Sequence, residues 1–327
     1  MRVGIIGLGV IVKNHIPAIL ASGQEIVALC DVDADRIERA KERFNLPAAE
    51  AYTDYKLMLD TASLDAVHIC TPHHLHVTMA CDALARNIHV FCEKPMVISH
   101  RELNTLEAAV RRSSARLGVC QQNRCNPSSR YVKELIGDRQ VSAASATLCW
   151  KRDRAYYDAE PWRGKWDTEG GGLMINQALH TLDLLQWFCG YPVSVSAITG
   201  NQSLFDVIQV EDTAFGRFKL ANGGNFIIQA TNASSANFPI QIMLRVEDDT
   251  IVICKDTVTV NENVVNIKNE MPILGKAEYG TGHISLIAKF YECLQTGEAF
   301  PIDFYEAAKV VRLILAMYES NGQEIVL

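Results

Sequence analysis

No apolar run in this chain reaches the length that spans a bilayer, so no membrane anchor is expected. Nor is there a basic excess: 31 Lys and Arg stand against 38 Asp and Glu, a formal net charge of −7. Without surplus cations to neutralise phosphates, nucleic acid and anionic membrane surfaces are excluded as partners. The opening Met1-Arg2-Val3-Gly4-Ile5-Ile6 lacks the ordered charged, apolar and small-residue regions of an export signal, and a cytoplasmic protein is expected. No CxxC pair occurs among the 10 cysteines, which argues against a zinc ribbon or a thioredoxin-like motif. Cys30, Cys70 and Cys120 sit in or beside apolar strand-like runs and Cys189 ends an apolar helix, as small hydrophobes do, and all 10 cysteines are expected to be reduced thiols. Internal repeats, low-complexity segments and long linkers are also missing.

What remains is an ordinary globular composition, 48% apolar and 21% charged over 327 residues, enough for two domains with separate cores. Residues 1–120 alternate short apolar runs with amphipathic stretches. Strands are predicted at Val3–Ile6, Ile26–Cys30, Ala66–Cys70, Ile88–Phe91 and near Gly118–Cys120. Helical patterns between them predict a doubly wound parallel sheet, an α/β dinucleotide-binding domain. Residues 121–327 predict an α+β domain for substrate binding and oligomerisation. Val141–Trp150, Thr213–Leu220, Asn225–Thr231, Ile240–Val246 and Thr250–Cys254 would form a large, mostly antiparallel sheet, with helices at Leu173–Phe188, Ile284–Leu294 and Phe304–Tyr318. So broad a sheet with few covering helices leaves a face to bury, and a homodimer or homotetramer through it is expected.

Gly7-Leu8-Gly9-Val10-Ile11-Val12 follows the first strand and opens a helix. Gly7 would make the tight turn, and Gly9 would let the backbone and helix N-terminus approach a pyrophosphate, with Val10 and Ile11 beside it. The third position, usually Gly or Ala, is Val12. Asp31 ends the second strand, where its carboxylate would bind ribose hydroxyls and repel a 2′-phosphate, favouring NAD over NADP. Thr71-Pro72 and Glu93-Lys94-Pro95 follow two further strands and emerge on the same ligand-binding edge.

A third segment, Glu169-Gly170-Gly171-Gly172, leads into Asn176, His180 and Asp183, which would share one face if Leu173–Phe188 is an α-helix. The glycines would let backbone approach a ligand. Removing a hydroxyl proton while hydride leaves carbon calls for a base near neutrality, and His180 fits. Lys94 would stabilise charge on the reacting oxygen, Asn176 would bind a substrate hydroxyl, and Asp183 would orient His180 or pair elsewhere. Lys94 and His180 would then meet at one pocket beside the redox ring. Tyr156 and Tyr157 either pack or bind a sugar. His68, His73, His74 and His76 suggest metal ligands, but no Cys or carboxylate completes a matched set, and no metal is expected.

Taken in order, the glycine loop, the EKP triplet and the glycine run with its histidine resemble the Gfo/Idh/MocA oxidoreductases over essentially the whole chain. Tyr156-Tyr157 and Trp162-Arg163-Gly164 also resemble many members. The resemblance implies that Glu93-Lys94-Pro95 lies beside the nicotinamide with a cis peptide before Pro95. It also implies that Trp162 and Arg163 lie near the cofactor, that His76 faces it, and that Gln122, Asn123 and Arg124 line the junction of the domains. Asn176 departs from the Asp common at this position, which rules out an Asp–His relay through it; members with Asn there resemble sugar dehydrogenases, including those acting on nucleotide-linked or N-acetylated sugars. The implied activity is hydride transfer between a nicotinamide and a ring hydroxyl or ketone of a sugar, sugar derivative or cyclic polyol. Alternatives are an NAD-dependent glycosidase working by transient oxidation and elimination, and a non-catalytic NAD-binding sensor.

Overall fold

The computed structural model describes residues 1–255, 257–267 and 280–327. Contacts divide these into two compact units. One comprises the described parts of 1–97, 101–125 and 271–307; the other comprises those of 98–100, 126–270 and 308–327.

The first unit is built on β1 (Arg2–Ile6), β2 (Glu25–Cys30), β3 (Glu50–Tyr52), β4 (Ala66–Ile69), β5 (His89–Cys92) and β6 (Leu117–Val119). They form a parallel sheet in the order β3-β2-β1-β4-β5-β6. β1 and β4 are buried almost throughout, as expected of strands covered on both faces. The order reverses at β1, so the chain leaving β1 and β4 opens the crevice where such sheets take ligands. Helix α1 (Val12–Ala21) follows β1, α2 (Ala34–Phe44) follows β2, and α3 (Tyr55–Thr61) leads to β4. The helix Gly282–Thr296, remote in sequence, packs on α1 within this unit. β3 escaped the sequence reading because three residues at a sheet edge carry no apolar run.

The second unit carries β7 (Val141–Cys149), β8 (Ser194–Gly200), β9 (Thr213–Lys219), β10 (Asn225–Thr231), β11 (Gln241–Val246), β12 (Asp249–Cys254), β13 (Thr257–Val260), β14 (Asn263–Val265) and β15 (Glu324–Val326). Their order is β14-β13-β12-β11-β7-β10-β9-β8-β15. All neighbours are antiparallel except β7 and β10, which run parallel. β9 and β11 alternate buried and exposed residues, so one face packs inward. On the other, Ile198 pairs with Phe215, and Met243 lies on a neighbouring row. Ile198 is 64%, Phe215 46% and Met243 43% exposed.

One expectation fails. Leu173–Phe188 is not a continuous α-helix: Met174–Ala178 is a π-helical turn, and α-helix begins at Leu179 and runs to Cys189. The wider turn changes the angular step between Asn176 and His180, so the shared-face argument from α-helical spacing does not apply to that pair.

Candidate active site

The first unit contains a cradle suited to a dinucleotide. Gly7 has φ +88°, and a side chain there would strike the Cys70 carbonyl at 2.7 Å. At Gly9 an added Cβ would meet nothing within 4 Å, so the backbone faces open space just before α1. Asp33 and Asp54 cap α2 and α3, whereas α1 has no side-chain cap and no acid in its first turn. Its amides thus remain suited to an anion. Val10 is exposed and Ile11 half-buried, while Val12 is buried at the helix start and packs in place of the usual glycine. Asn14 is buried in the same first turn, and neither polar atom of its side chain has a partner among the described residues. Asp31 is buried at the end of β2. One carboxylate oxygen accepts Leu8 N–H at 2.7 Å and the other accepts Asp33 N–H at 3.0 Å. Arg36 stands 4.0 Å away. The residues present fit NAD.

The loops after β4 and β5 are tied together. His76 places Nε2 2.8 Å from the Thr71 carbonyl and Nδ1 2.7 Å from the Pro95 carbonyl. Burial lowers its pKa, although both carbonyls favour the protonated ring. Each ring nitrogen thus faces a carbonyl of the chain itself, and a neutral ring donates to one of the two, beside Pro72 and the cis Lys94–Pro95 bond. Glu93 accepts Lys94 N–H at 3.2 Å and meets His15 Nε2 at 2.8 Å. His15 Nδ1 lies 2.8 Å from His68 Nδ1, and His68 Nε2 lies 2.8 Å from the Tyr291 hydroxyl. A consistent proton order has Tyr291 donating to His68, His68 to His15, and His15 to Glu93. Burial would raise the Glu93 carboxyl, but the His15 hydrogen bond leads the effects that outweigh it and hold the group below its ordinary range. The histidine grouping read from the sequence is thus redrawn: His68 joins His15, and His15, Glu93, Cys120 and His283 bring potential ligand atoms within 4.8 Å of one another. Gln122 is buried near Cys120, and Arg124 is buried and ion-paired with Glu306 at 2.8 Å.

The second unit holds the other candidates. Asn176 donates its side-chain amide to Glu169, which also accepts Gly164 N–H at 2.5 Å. Burial raises the Glu169 carboxyl to about 7, against those hydrogen bonds and the nearby Arg163 charge. Glu211 accepts the backbone N–H groups of Gly172 and Met174, both at 2.8 Å, and the Tyr318 hydroxyl at 2.9 Å. Burial likewise raises it to about 7. The glycine run serves packing. Side chains at Gly170, Gly171 and Gly172 would strike Ile98, the Tyr318 hydroxyl and the Glu211 carbonyl, at 2.2, 2.1 and 2.1 Å. The expectation that these glycines make room for a ligand is replaced by close approach within the chain. His180 is half-buried; Asp183 is fully buried and accepts Gln186 Nε2 at 3.3 Å. The Tyr156 hydroxyl accepts from Gln177 at 3.0 Å, and that of Tyr157 from Asn232 at 3.3 Å. The Arg163 guanidinium lies over the Tyr156 ring at 4.3 Å and over the Trp162 ring at 5.4 Å.

Glu169, Glu211, Gln177, Arg152, Asn14 and His15 stand outside the residues expected from the sequence to act in the site. Isolated polar residues carry no periodic signal, and only Glu169, at the head of the glycine run, stood within a recognisable motif. All 10 cysteines are free thiols. Among the described residues no helix is long and apolar enough to cross a membrane.

Comparison with known proteins agrees with this architecture. Residues 1–121 match the model of the oxidoreductase family with an NAD-binding Rossmann fold, and residues 130–255 match the Gfo/Idh/MocA C-terminal domain. An uncharacterized oxidoreductase, YrbE, of Bacillus subtilis is 27% identical over 69% of this chain and 65% of its own length. D-xylose 1-dehydrogenase (NADP(+)) 2 of Haloferax volcanii is 26% identical over 98% of this chain and 97% of its own. Some curated relatives are matched over less than half their length, as with the Rhizobium meliloti oxidoreductase ORF334 at 44%. The WlbA dehydrogenase of Bordetella pertussis, solved with NADH and UDP-GlcNAcA, is 28% identical with a TM-score of 0.85, covering 100% of this chain and 98% of that one. The chain has an NAD-binding Rossmann domain and belongs to the Gfo/Idh/MocA family of oxidoreductases.

Proposed function

We propose that this protein is a nicotinamide-dependent dehydrogenase acting on a ring hydroxyl or ketone of a sugar, sugar derivative or cyclic polyol. The observation that carries the reading lies in the first unit. There, the dinucleotide cradle and the Lys94 loop share one sheet edge, with His76 bridging the loops after β4 and β5. The xylose dehydrogenase among the relatives and the nucleotide-sugar complex among the structural neighbours support a carbohydrate substrate, with nucleotide-linked N-acetylated sugars among the candidates.

When bound, the nicotinamide supplies the hydride acceptor. Lys94 donates a hydrogen bond to the reacting oxygen and offsets the charge that develops there. His180 takes the hydroxyl proton at a ring nitrogen. Asn176 binds a neighbouring hydroxyl, its orientation set by Glu169. Asp31 holds the ribose and disfavours a 2′-phosphate. Tyr156, Tyr157, Arg163, Arg124 and Asp183 are assigned to the substrate, and Trp162, Arg163 and Gln122 to the cofactor. The exposed residues Ile198, Phe215 and Met243 on neighbouring rows of the sheet support self-association as a dimer or tetramer, read by light scattering.

The test is a screen of sugars, inositols, sugar acids and nucleotide sugars with NAD and NADP, following reduced cofactor. Steady NADH formation on a carbohydrate supports the reading. Glycoside cleavage without it, or no turnover anywhere in the screen, rejects it.

A further inference from the structure

We propose that Arg152 and Arg163 form a recognition site for a doubly oxygenated anion, a carboxylate or a diphosphate, carried by the substrate. The side chains make a ladder within the second unit. The Arg152 guanidinium lies 4.9 Å from the Trp150 ring and 4.9 Å from Tyr156; that of Arg163 lies 4.3 Å from Tyr156 and 5.4 Å from Trp162. Two aromatic rings lie against each planar guanidinium, a contact made by its face that leaves its edges to donate.

Those edges are underused. A guanidinium has five N–H donors. Arg152 Nη1 donates to the Lys151 carbonyl at 2.7 Å and to Asn237 at 3.2 Å, and Arg163 Nη1 donates to the Tyr156 carbonyl at 3.0 Å. Nε of both residues is shielded from solvent and donates to nothing among the described residues. A shielded N–H without an acceptor is costly, and an anion with two oxygens would remove that cost.

The charge is also unbalanced. Both cations share Tyr156, yet neither makes an ion pair among the described residues, whereas the adjacent Arg154 pairs with Asp206 at 2.9 Å. Glu169 lies within electrostatic reach of Arg163, but its oxygens take Gly164 and Asn176. An external anion supplies what the chain withholds. Its place is set by Tyr156, whose hydroxyl accepts from Gln177 at 3.0 Å, next to Asn176 on the proposed sugar-binding turn. The substrate is thus an acidic or phosphate-linked sugar; this last step rests on the dehydrogenase reading above.

The experiment measures binding by calorimetry to the full-length protein with N-acetylglucosamine, glucuronate, UDP and UDP-glucose as probes. Wild type is compared with Arg152→Met, Arg163→Met and the corresponding Lys variants. We expect at least one anionic probe to bind tenfold or more tighter than the neutral sugar, with the Met variants losing roughly 10- to 100-fold of that affinity. Preference for glucuronate identifies the carboxylate source, and preference for UDP and UDP-glucose the diphosphate. The Lys variants keep the charge without the planar fork and should recover only part of the affinity; they also provide folded comparisons if a Met variant melts early. Equal binding of neutral and anionic probes by wild type overturns the proposal, as does an anion preference unchanged in folded Met or Lys variants. Anion binding with no NADH formed from any sugar would reject the dehydrogenase reading and leave this site standing. Turnover of sugars without anion preference would do the reverse.

Discussion

The side-chain amide of Asn176 donates to the carboxylate of Glu169, seven residues earlier in the chain. That bond spends an amide hydrogen on the protein and fixes the orientation of the side chain, which the proposed role of Asn176 in binding a hydroxyl requires. Asn176→Asp would restore the acid common at this position in the family, but it would face two carboxylates at each other. We expect kcat/KM to fall roughly tenfold or more at pH 8 and to recover partly at pH 6, where one proton can be shared. A pH–rate profile matching the unaltered protein would separate Asn176 from substrate binding.

Glu169 and Glu211 also make stability depend on pH. Burial raises both carboxyls from 4.5 to about 7, so the folded chain binds more protons than the unfolded chain between those values. Their contribution is complete below pH 4.5 and is lost as pH rises through 7. Unfolding by urea at pH 5.5 and 8.5 should show a loss on the order of 1–3 kcal/mol from each group toward the alkaline side. Glu169→Gln and Glu211→Gln should each flatten the profile.

Lys94→Ala should lower turnover by a factor of order 10² or more while NAD still binds. Stopped-flow measurement of the first turnover, alongside cofactor titration, separates these effects. Undiminished turnover would remove Lys94 from the chemistry.

Asp31→Ser should move preference from NAD toward NADP by roughly tenfold in the ratio of kcat/KM values, because the charge repelling a 2′-phosphate is gone. Affinity for NAD should fall as well, since the Leu8 amide loses its acceptor at 2.7 Å. An unchanged ratio would contradict the ribose role.

Gly9→Ala and Gly172→Ala should separate cofactor binding from folding. A methyl at Gly9 meets no protein atom within 4 Å, so the melting temperature should hold while NAD affinity drops, by about tenfold if the phosphates approach there. A methyl at Gly172 strikes the Glu211 carbonyl at 2.1 Å, so the fold itself should lose about 2 kcal/mol or more. Thermal melts with and without NAD distinguish the two.

Much of this protein is legible along the chain. β10 has the predicted bounds, Asn225–Thr231, and the strands predicted for the parallel unit agree to within a few residues. Buried strands and amphipathic helices write their periodicity into local sequence. Short edge elements do not. β3, β13, β14 and β15 exist because a neighbouring strand supplies hydrogen bonds, and no apolar run announces them. The helix Pro127–Ile136 lies outside the predicted elements, although Pro at its first position is a helix-start signal.

Motif order and strand-end position, properties of the linear chain, determined the dinucleotide unit, the EKP loop and the family. The folded structure alone decided how the polar groups are spent. It set the π turn at Met174–Ala178, the engagement of His76 by two carbonyls, the pairing of Arg124 with Glu306, and the packing role of Gly170–Gly172. The physical reason is that hydrogen bonds and close contacts join residues dozens to hundreds of positions apart, and nothing in local sequence specifies which buried donor will find which acceptor.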